Sequence, residues 1–485
     1  MKTKTYTPLK WLGSSWAFTF ILLLFVTETG WLALTSRFPM AFDETYHFGL
    51  IRFFSHRLNP IVTHQAASTY KFGAIVQDPS FLYHYLMSFP YRLITLFTHS
   101  LEAQVIGLRL INVALAVASL LVMRKLLKLV DLSDGLANVA VLAFAMTPLV
   151  TALSAQINYD NLLILSASLC IYETVLFAKE LDQKVVNAGR LLALLSLCLF
   201  ASLVKFSFLP VFLGIVGLIV WKFIAYGRRN DANLLAEAQK SFTSINRYPK
   251  LLLLTATILS SLLFVRFYGV NLVKYHNPVP QCNQVLNVPA CKHYYSWNND
   301  YTIAQHYHDA HPKAVQANTL QYSAYWSLLS SFQLFGAIMP LQGLYYVSQS
   351  YLSIIALLGV TGLICTIINF KTMLQKNKNL LAITAISLIY VLFLWARNYH
   401  DYLHLGQPVA VNGRYLAPVL IYFYALLGSG LHHTLKGRQT TALIVKLALA
   451  LAVVVSFAYY GGFSQYLSQI RPVYGRINPS NNYGI

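Results

Sequence analysis

Apolar runs long enough to cross a lipid bilayer recur along this chain, and short loops holding most of the lysines and arginines separate them. The hydrocarbon core of a bilayer offers a bare backbone no hydrogen bonds. A run of about 20 apolar residues must close those bonds within itself, as a helix. This constraint dominates the rest of the reading. Of the 485 residues, 56% are hydrophobic and 11% charged, against about 25% charged in soluble domains. Lipid is therefore the main solvent. The 32 tyrosines and 29 phenylalanines suit a chain with many helix ends at the membrane interface. The net charge of +20 does not imply a nucleic-acid partner. Its Lys and Arg lie in short loops and not on one soluble face, so they serve as topology signals.

The first run, Trp11 to about Leu34, follows three lysines. It is too long for a cleaved signal peptide, and its basic flank predicts an inside N-terminus. Residues 37–103 form an outer segment, within which Phe81–Phe97 is predicted to lie along the interface. Further spans are expected at about Val105–Val122, Leu136–Leu153 and Asp160–Lys179. The double-length run Leu191–Ala225 is expected to fold as a hairpin with Lys205 at its outer turn. The basic loop 226–250 should lie inside, with a seventh span at Leu251–Tyr268 after it. A polar outer segment then reaches Tyr345. Later spans are expected near Tyr351–Ile368, ending at Trp395, after Gly413, and ending near Tyr460. The expected fold is an all-α polytopic membrane protein of about eleven helices, with outer-face interfacial helices and a small extracytoplasmic cap. Three units follow: 1–268 with its first outer loop 37–103, the cap 269–345, and 346–485 with an outer tail. The cell membrane is the expected location, with the N-terminus cytoplasmic and the C-terminus extracytoplasmic.

With that topology, four polar features converge on the outer face. Asp43-Glu44, with His47 close behind, sits just beyond the first span. Carboxylates near lipid are costly and usually functional, and one of them can serve as a general base. The structural alternative is a helix cap with an acidic first turn. Asn158-Tyr159-Asp160 opens the fourth span, where Asp160 could also act as a cap. Lys205 lies between two apolar runs; it either snorkels to the headgroups or meets a phosphate as a point charge. Arg414, in Asn412-Gly413-Arg414-Tyr415, stands on the side where basic residues are disfavoured. A phosphate partner would explain it, as would an ion pair with Asp43, Glu44 or Asp401.

Cys170, Cys198 and Cys365 fall inside apolar runs and read as packing residues. Cys282 and Cys291 share one polar loop and are expected to form a disulfide if that loop faces an oxidising compartment. His293, His306, His308 and His311 lie in the same outer segment. Their spacing matches no standard zinc pattern, so no metal ligands are assigned. No Gly-rich phosphate loop of the Walker type is present, which argues against an ATP-driven pump.

Phe42-Asp43-Glu44 followed by His47-Phe48-Gly49 resembles the first-outer-loop motif of protein O-mannosyltransferases, with one extra residue between the acidic pair and the histidine. The wider group is the GT-C superfamily of integral-membrane glycosyltransferases, which includes the bacterial aminoarabinose transferases. Asn158-Tyr159-Asp160, the Lys205 turn and Gly413-Arg414-Tyr415 are similar to features of a related bacterial GT-C-like family. The resemblance implies an inverting transferase that uses a polyprenyl-phosphate sugar donor and a glycan, lipid or protein acceptor, in contact with membrane lipid. It makes Asp43 the base. Glu44 and Asp160 would position the acceptor or hold a metal ion. Lys205 and Arg414 would neutralise the leaving phosphate, with His47, Asn158 and Tyr415 as further substrate-binding residues. Some members use a divalent cation (Mg or Mn) and others none. The reading from a different class is a transporter or flippase of a lipid-linked saccharide. Transporters usually place polar residues near the bilayer midplane, whereas the charges here gather at one face.

Overall fold

The computed structural model describes residues 11–40, 43–230, 234–310, 318–335, 337–338, 345–346 and 349–436, with scattered positions between 441 and 455. The described residues are mostly helical. Helix α1 (Ser15–Thr35) crosses first, its start capped by Ser14, whose hydroxyl accepts from the Ala17 amide at 3.1 Å. Two helices of the first loop follow, α2 (Glu44–Ser55) and α3 (Leu82–Phe97). Next come α4 (Leu101–Leu129), α5 (Asp134–Ala145), α6 (Pro148–Ser154) and α7 (Tyr159–Asp182). Helices α8 (Ala188–Val204) and α9 (Leu209–Asn230) flank the break at Lys205, and α10 (Leu234–Thr243) lies in the basic loop.

Helix α11 (Arg247–Phe264) continues through a π turn at Val265–Gly269 into α12 (Val270–Tyr275). Short helices α13 (Cys282–Val285) and α14 (Val288–Cys291) lead to α15 (Tyr295–Ala310) and α16 (Thr319–Phe335). The two-residue strands β1 (Ala337–Ile338) and β2 (Tyr345–Tyr346) pair antiparallel. The last described elements are α17 (Gln349–Ile368), α18 (Phe370–Lys376), α19 (Lys378–Leu405) and α20 (Ala417–Thr434).

Among the described residues, seven helices are long and apolar enough to cross a membrane, or nine if two bent pairs each count as one span. Eleven were expected, and each difference has a local cause. The third expected span is α5 and α6, bent by 70° where Pro148 opens a new helix. The eighth is α17, and α18, over part of the expected basic turn, bends from it by 72° at Asn369. The fifth is α8, shorter than the others at 17 residues. The eleventh lies largely outside the described residues. The seventh runs past the expected end at Tyr268 as one 29-residue helix, Arg247–Tyr275. Asn271 is tolerated there because its amide donates to the Gln77 carbonyl at 2.9 Å. The stretch expected to lie along the interface forms the 16-residue helix α3, Leu82–Phe97, which is not among the spans. Helices α13 to α16 fall in the segment expected to form the cap.

Helix α7 is the most buried of the spans and packs against both α4 and α8. Helix α11 turns most of its surface outward and leans on α8. One continuous apolar core joins α1, α2, α3, α4, α5, α7, α8 and α20. The ends of these helices that meet the first loop define the site.

Candidate functional site

Asp43 precedes α2 with φ 64° and ψ 30°, in the left-handed region. An aspartate tolerates that conformation better than most residues, yet it is still strained. Its side chain makes no capping bond. It is 55% exposed and lies 3.3 Å from Arg414 Nη2. The cap explanation for Asp43 therefore fails, and the carboxylate is held by tertiary contact.

Two asparagine turns aim the other charges. Asn158 accepts from the Asp160 amide at 2.9 Å, and Asn412 accepts from the Arg414 amide at 3.0 Å. Each asparagine caps the start of a helix, so the charged residue two positions on is freed from capping and projects from the first turn. Gly413 is required between them. A Cβ there would meet the Ser330 carbonyl oxygen at 2.7 Å, because α16 crosses against its backbone. Arg414 Nε lies 3.9 Å from Asp160 Oδ2, and Lys205 Nζ lies 2.5 Å from Asp160 Oδ1. Asp43, Arg414, Asp160 and Lys205 thus form one chain of alternating charge, brought together from four separate parts of the sequence. They mark one end of the helix bundle.

Lys205 and Asp160 are almost wholly buried, with side chains 3% and 1% exposed. The Lys205 ammonium sits between the rings of Tyr159 at 4.2 Å and Tyr415 at 4.4 Å. Neither Lys205 nor Asp160 lines the adjoining cavity. This departs from the expectation that Lys205 meets a phosphate directly. Its charge is engaged by Asp160, and the snorkelling alternative fails as well because the residue is buried.

Glu44 departs from expectation too. It is fully buried and bidentate with Arg109, Nε to Oε1 and Nη2 to Oε2 both at 2.8 Å. Glu44 also accepts from the amides of Met40 at 2.6 Å and Ile157 at 3.1 Å. Arg109 in turn donates to the carbonyls of Ser36 and Arg37. Glu44 faces away from the cavity and anchors the first loop to α4. Arg109 was missed in the sequence reading; a charge inside an apolar span was the available signal.

A cavity of about 610 Å³ opens beside Asp43 and Arg414, with Cys282 and residues Tyr294–Ser296 also on its wall. His47, His84, Asp78, Asp300, Tyr294 and Tyr415 are among its lining. His47 Nδ1 lies 2.9 Å from His84 Nε2. Burial lowers both histidines, His84 to about 3, so both are neutral at pH 7. Burial also raises the Asp78 and Asp300 carboxyls. His84, Asp78 and Tyr294 went unrecognised in the sequence because no short motif contains them. Cys282 and Cys291 form a disulfide with Cα atoms 5.8 Å apart, and Cys282 lines the cavity. Cys170, Cys198 and Cys365 are free and buried. Among the described residues, no three of His, Cys, Asp and Glu converge as a metal site. His306 belongs to none, the side chain of His308 lies outside the description, and so does His311.

Fold and site together define a polytopic helical membrane protein with an ion-paired cavity at one end of its helices. The chain is similar to a crystal structure of the Archaeoglobus fulgidus oligosaccharyltransferase in complex with Zn and sulfate, at TM-score 0.47 and 12% identity. That match covers 93% of this chain and 54% of the other. It is also similar to archaeal oligosaccharyltransferase AglB from the same organism, in complex with an inhibitory peptide and a dolichol-phosphate. There the TM-score is 0.43 and the identity 13%, over 94% of this chain and 58% of the other. The chain spans about half the length of these structures. At this level the likeness assigns no residue a role and the chain no substrate. No protein-family model matches the sequence, and no curated protein matches it.

Proposed function

We propose that this protein is a membrane glycosyltransferase of the GT-C type, moving a sugar from a polyprenyl-phosphate donor to an acceptor hydroxyl at the extracytoplasmic face of the cell membrane. The observation that carries the reading is Asp43. It is a strained, uncapped carboxylate on the wall of a 610 Å³ cavity, 3.3 Å from a guanidinium.

In this reading Asp43 takes the proton of the acceptor hydroxyl as its oxygen attacks the anomeric carbon. The bond from that carbon to the phosphate oxygen breaks. The electron pair leaves with the polyprenyl phosphate, and a single displacement inverts the carbon. Arg414 faces the charge that develops on the leaving oxygen. Its fork can hold a phosphate in bidentate fashion once the phosphate competes with Asp43 for it. Asp160 and Lys205 act from behind, fixing Arg414 and the Tyr415 ring, while Asn158 and Asn412 set the turns. Glu44 and Arg109 hold the loop that carries Asp43. The acceptor is a glycan, lipid or protein hydroxyl that enters under the cap. Among the described residues no three of His, Cys, Asp and Glu converge as a metal site, so the proposed chemistry falls to Asp43 and Arg414.

The ion-paired chain of Asp43, Arg414, Asp160 and Lys205 at one end of the helices supports an enzyme over a transporter of lipid-linked saccharides. The test is to incubate purified protein in liposomes with a panel of polyprenyl-phosphate sugars and candidate acceptors. The expected result is acceptor-dependent release of polyprenyl phosphate. Movement of the intact lipid-linked sugar across the bilayer, without release of the carrier, would favour the transporter.

A further inference from the structure

A second cavity, of about 580 Å³, runs between α9 and α19, with Val175 and Ala178 of α7 also on its wall. It lies far from Asp43 and Arg414. Asp160 stands in the first turn of α7 and Asp182 ends that helix, so the two carboxylates are about 33 Å apart at a rise of about 1.5 Å per residue. The hydrocarbon core of a bilayer is about 30 Å thick. Asp182 accepts from Lys222 Nζ at 2.7 and 2.8 Å, and Lys222 lines this second cavity. The cavity therefore has its charged end on the opposite side of the membrane from the ion-paired site.

Its lining is polar at that end only. Lys222, Lys378 and Asn379 lie there, and the wall is apolar from Trp221 back to Leu213 on α9 and from Ala382 on to Ile389 on α19. On each helix the lined stretch is about 15 Å long, half of the hydrocarbon core and so the depth of one leaflet. Gly217 keeps the cavity open. A Cβ there would meet nothing within 4 Å, whereas one at Gly214, a turn earlier, would press on Ile386 at 3.1 Å. Helix α9 thus packs on α19 at Gly214 and parts from it at Gly217. Both helices turn most of their surface outward, so the cavity opens toward lipid. Trp221 is 60% exposed beside Lys222, and tryptophans of this kind sit at the level of lipid headgroups. The charges at that level do not cancel. Asp182 is paired with Lys222, while Lys378 stands 3.8 Å away with its side chain 66% exposed. Two ammoniums and one carboxylate leave one positive charge over, and a phosphodiester carries one negative charge.

We propose that this cavity binds one anionic glycerophospholipid, taken from the leaflet opposite to the ion-paired site. Its phosphate lies at Lys378 and Lys222, and an acyl chain runs past Gly217 toward Leu213 and Ile389. Basic pockets between membrane helices hold anionic headgroups by this combination of lysines and an apolar slot. A zwitterionic lipid fits the apolar slot equally well, but its own ammonium offsets the phosphate, so the excess lysine charge selects the anionic lipid. The binding does not depend on any transfer reaction at Asp43.

The experiment is native mass spectrometry of the full chain in detergent, titrated with dioleoylphosphatidylglycerol or with dioleoylphosphatidylcholine. The wild type is expected to retain one phosphatidylglycerol per chain and to hold phosphatidylcholine several-fold more weakly. Lys378→Gln should weaken phosphatidylglycerol about fivefold, the effect of one lysine near a headgroup, and leave phosphatidylcholine unchanged. Gly217→Leu should weaken both lipids, because its side chain enters the path of the acyl chain. Lys274→Gln, at an exposed position that ends α12, should change neither. Equal retention of the two lipids by the wild type overturns the proposal. So does unchanged phosphatidylglycerol binding in Lys378→Gln or Gly217→Leu, or a loss in Lys274→Gln as large as that in Lys378→Gln. A dimer in place of the lipid adduct would put a second copy in the cavity and also overturns it. If Gly217→Leu fails to fold, Lys378→Gln decides, since its side chain is largely exposed.

Discussion

At the scale of single residues, the site sets a cavity-facing carboxylate apart from ion pairs buried in the core. Asp43 makes no capping bond and is more than half exposed. Asp43→Asn keeps its size, so the fold has little to lose. The expected outcome is a fall in transfer of about 100- to 10,000-fold, with an unchanged melting temperature. Carrier release at the wild-type rate would remove Asp43 from the base role. His84 gives a second prediction, on pH. Burial holds it at about 3 in the folded chain, against 6.5 as its ordinary value. Between those values the unfolded chain binds a proton that the folded chain refuses. Stability is therefore full above about pH 6.5 and is lost as pH falls toward 3. Thermal melting in detergent should fall between pH 7 and pH 4.5, and the slope should be shallower in His84→Phe.

At the scale of elements, two close contacts decide where the charges stand. Glu44 and Arg109 tie the start of α2 to α4 with both partners buried. Glu44→Gln would leave a buried guanidinium uncompensated, at a cost of about 3–5 kcal/mol. The expected outcome is a lowered melting temperature before any effect on chemistry can be read. A stable Glu44→Gln variant that has lost only activity would restore Glu44 to a direct role. Gly413 is the second contact. A Cβ there would press on the Ser330 carbonyl oxygen at 2.7 Å and the Leu334 amide at 3.0 Å. Backbone atoms cannot rotate aside as side chains do. Gly413→Ala should cost about 1–3 kcal/mol, as overpacking does, and should displace Arg414. Thermal melting with donor-binding assays would detect both.

For the whole molecule, the cap and the bundle must face one compartment for the site to work as read. The Cys282–Cys291 bond lies at the cavity wall, and disulfides persist in oxidising surroundings. Mass spectrometry of non-reduced peptides from fresh membranes is expected to recover the linked pair. Two alkylatable thiols in that preparation would count against the bond and against an extracytoplasmic cap together.

The amino-acid sequence was enough for the membrane-helical class, because length and apolarity of a run suffice to force a helix in lipid. It also picked out Asp43, Asp160, Lys205 and Arg414, since charges at the edges of apolar runs are rare enough to stand out. It could not count the spans, because the length and apolarity of a run do not reveal the 70° and 72° bends or the shortness of α8. Nor could it sort the charges by role. Glu44 and Asp43 are adjacent in the chain, yet one is bound to Arg109 in the core and the other faces the cavity. That difference arises from the backbone turn at Asp43 and from a partner 65 residues away. Lys205 reads in the sequence equally as a snorkelling residue or a phosphate ligand, and the fold surrounds it with Asp160 and two tyrosine rings. His84 carried no signal, since its meaning lies in a contact with His47 across 37 residues. Only the tertiary structure brings such distant groups within hydrogen-bond range. In a dry interior, that proximity decides which charge is spent on structure and which is left to act.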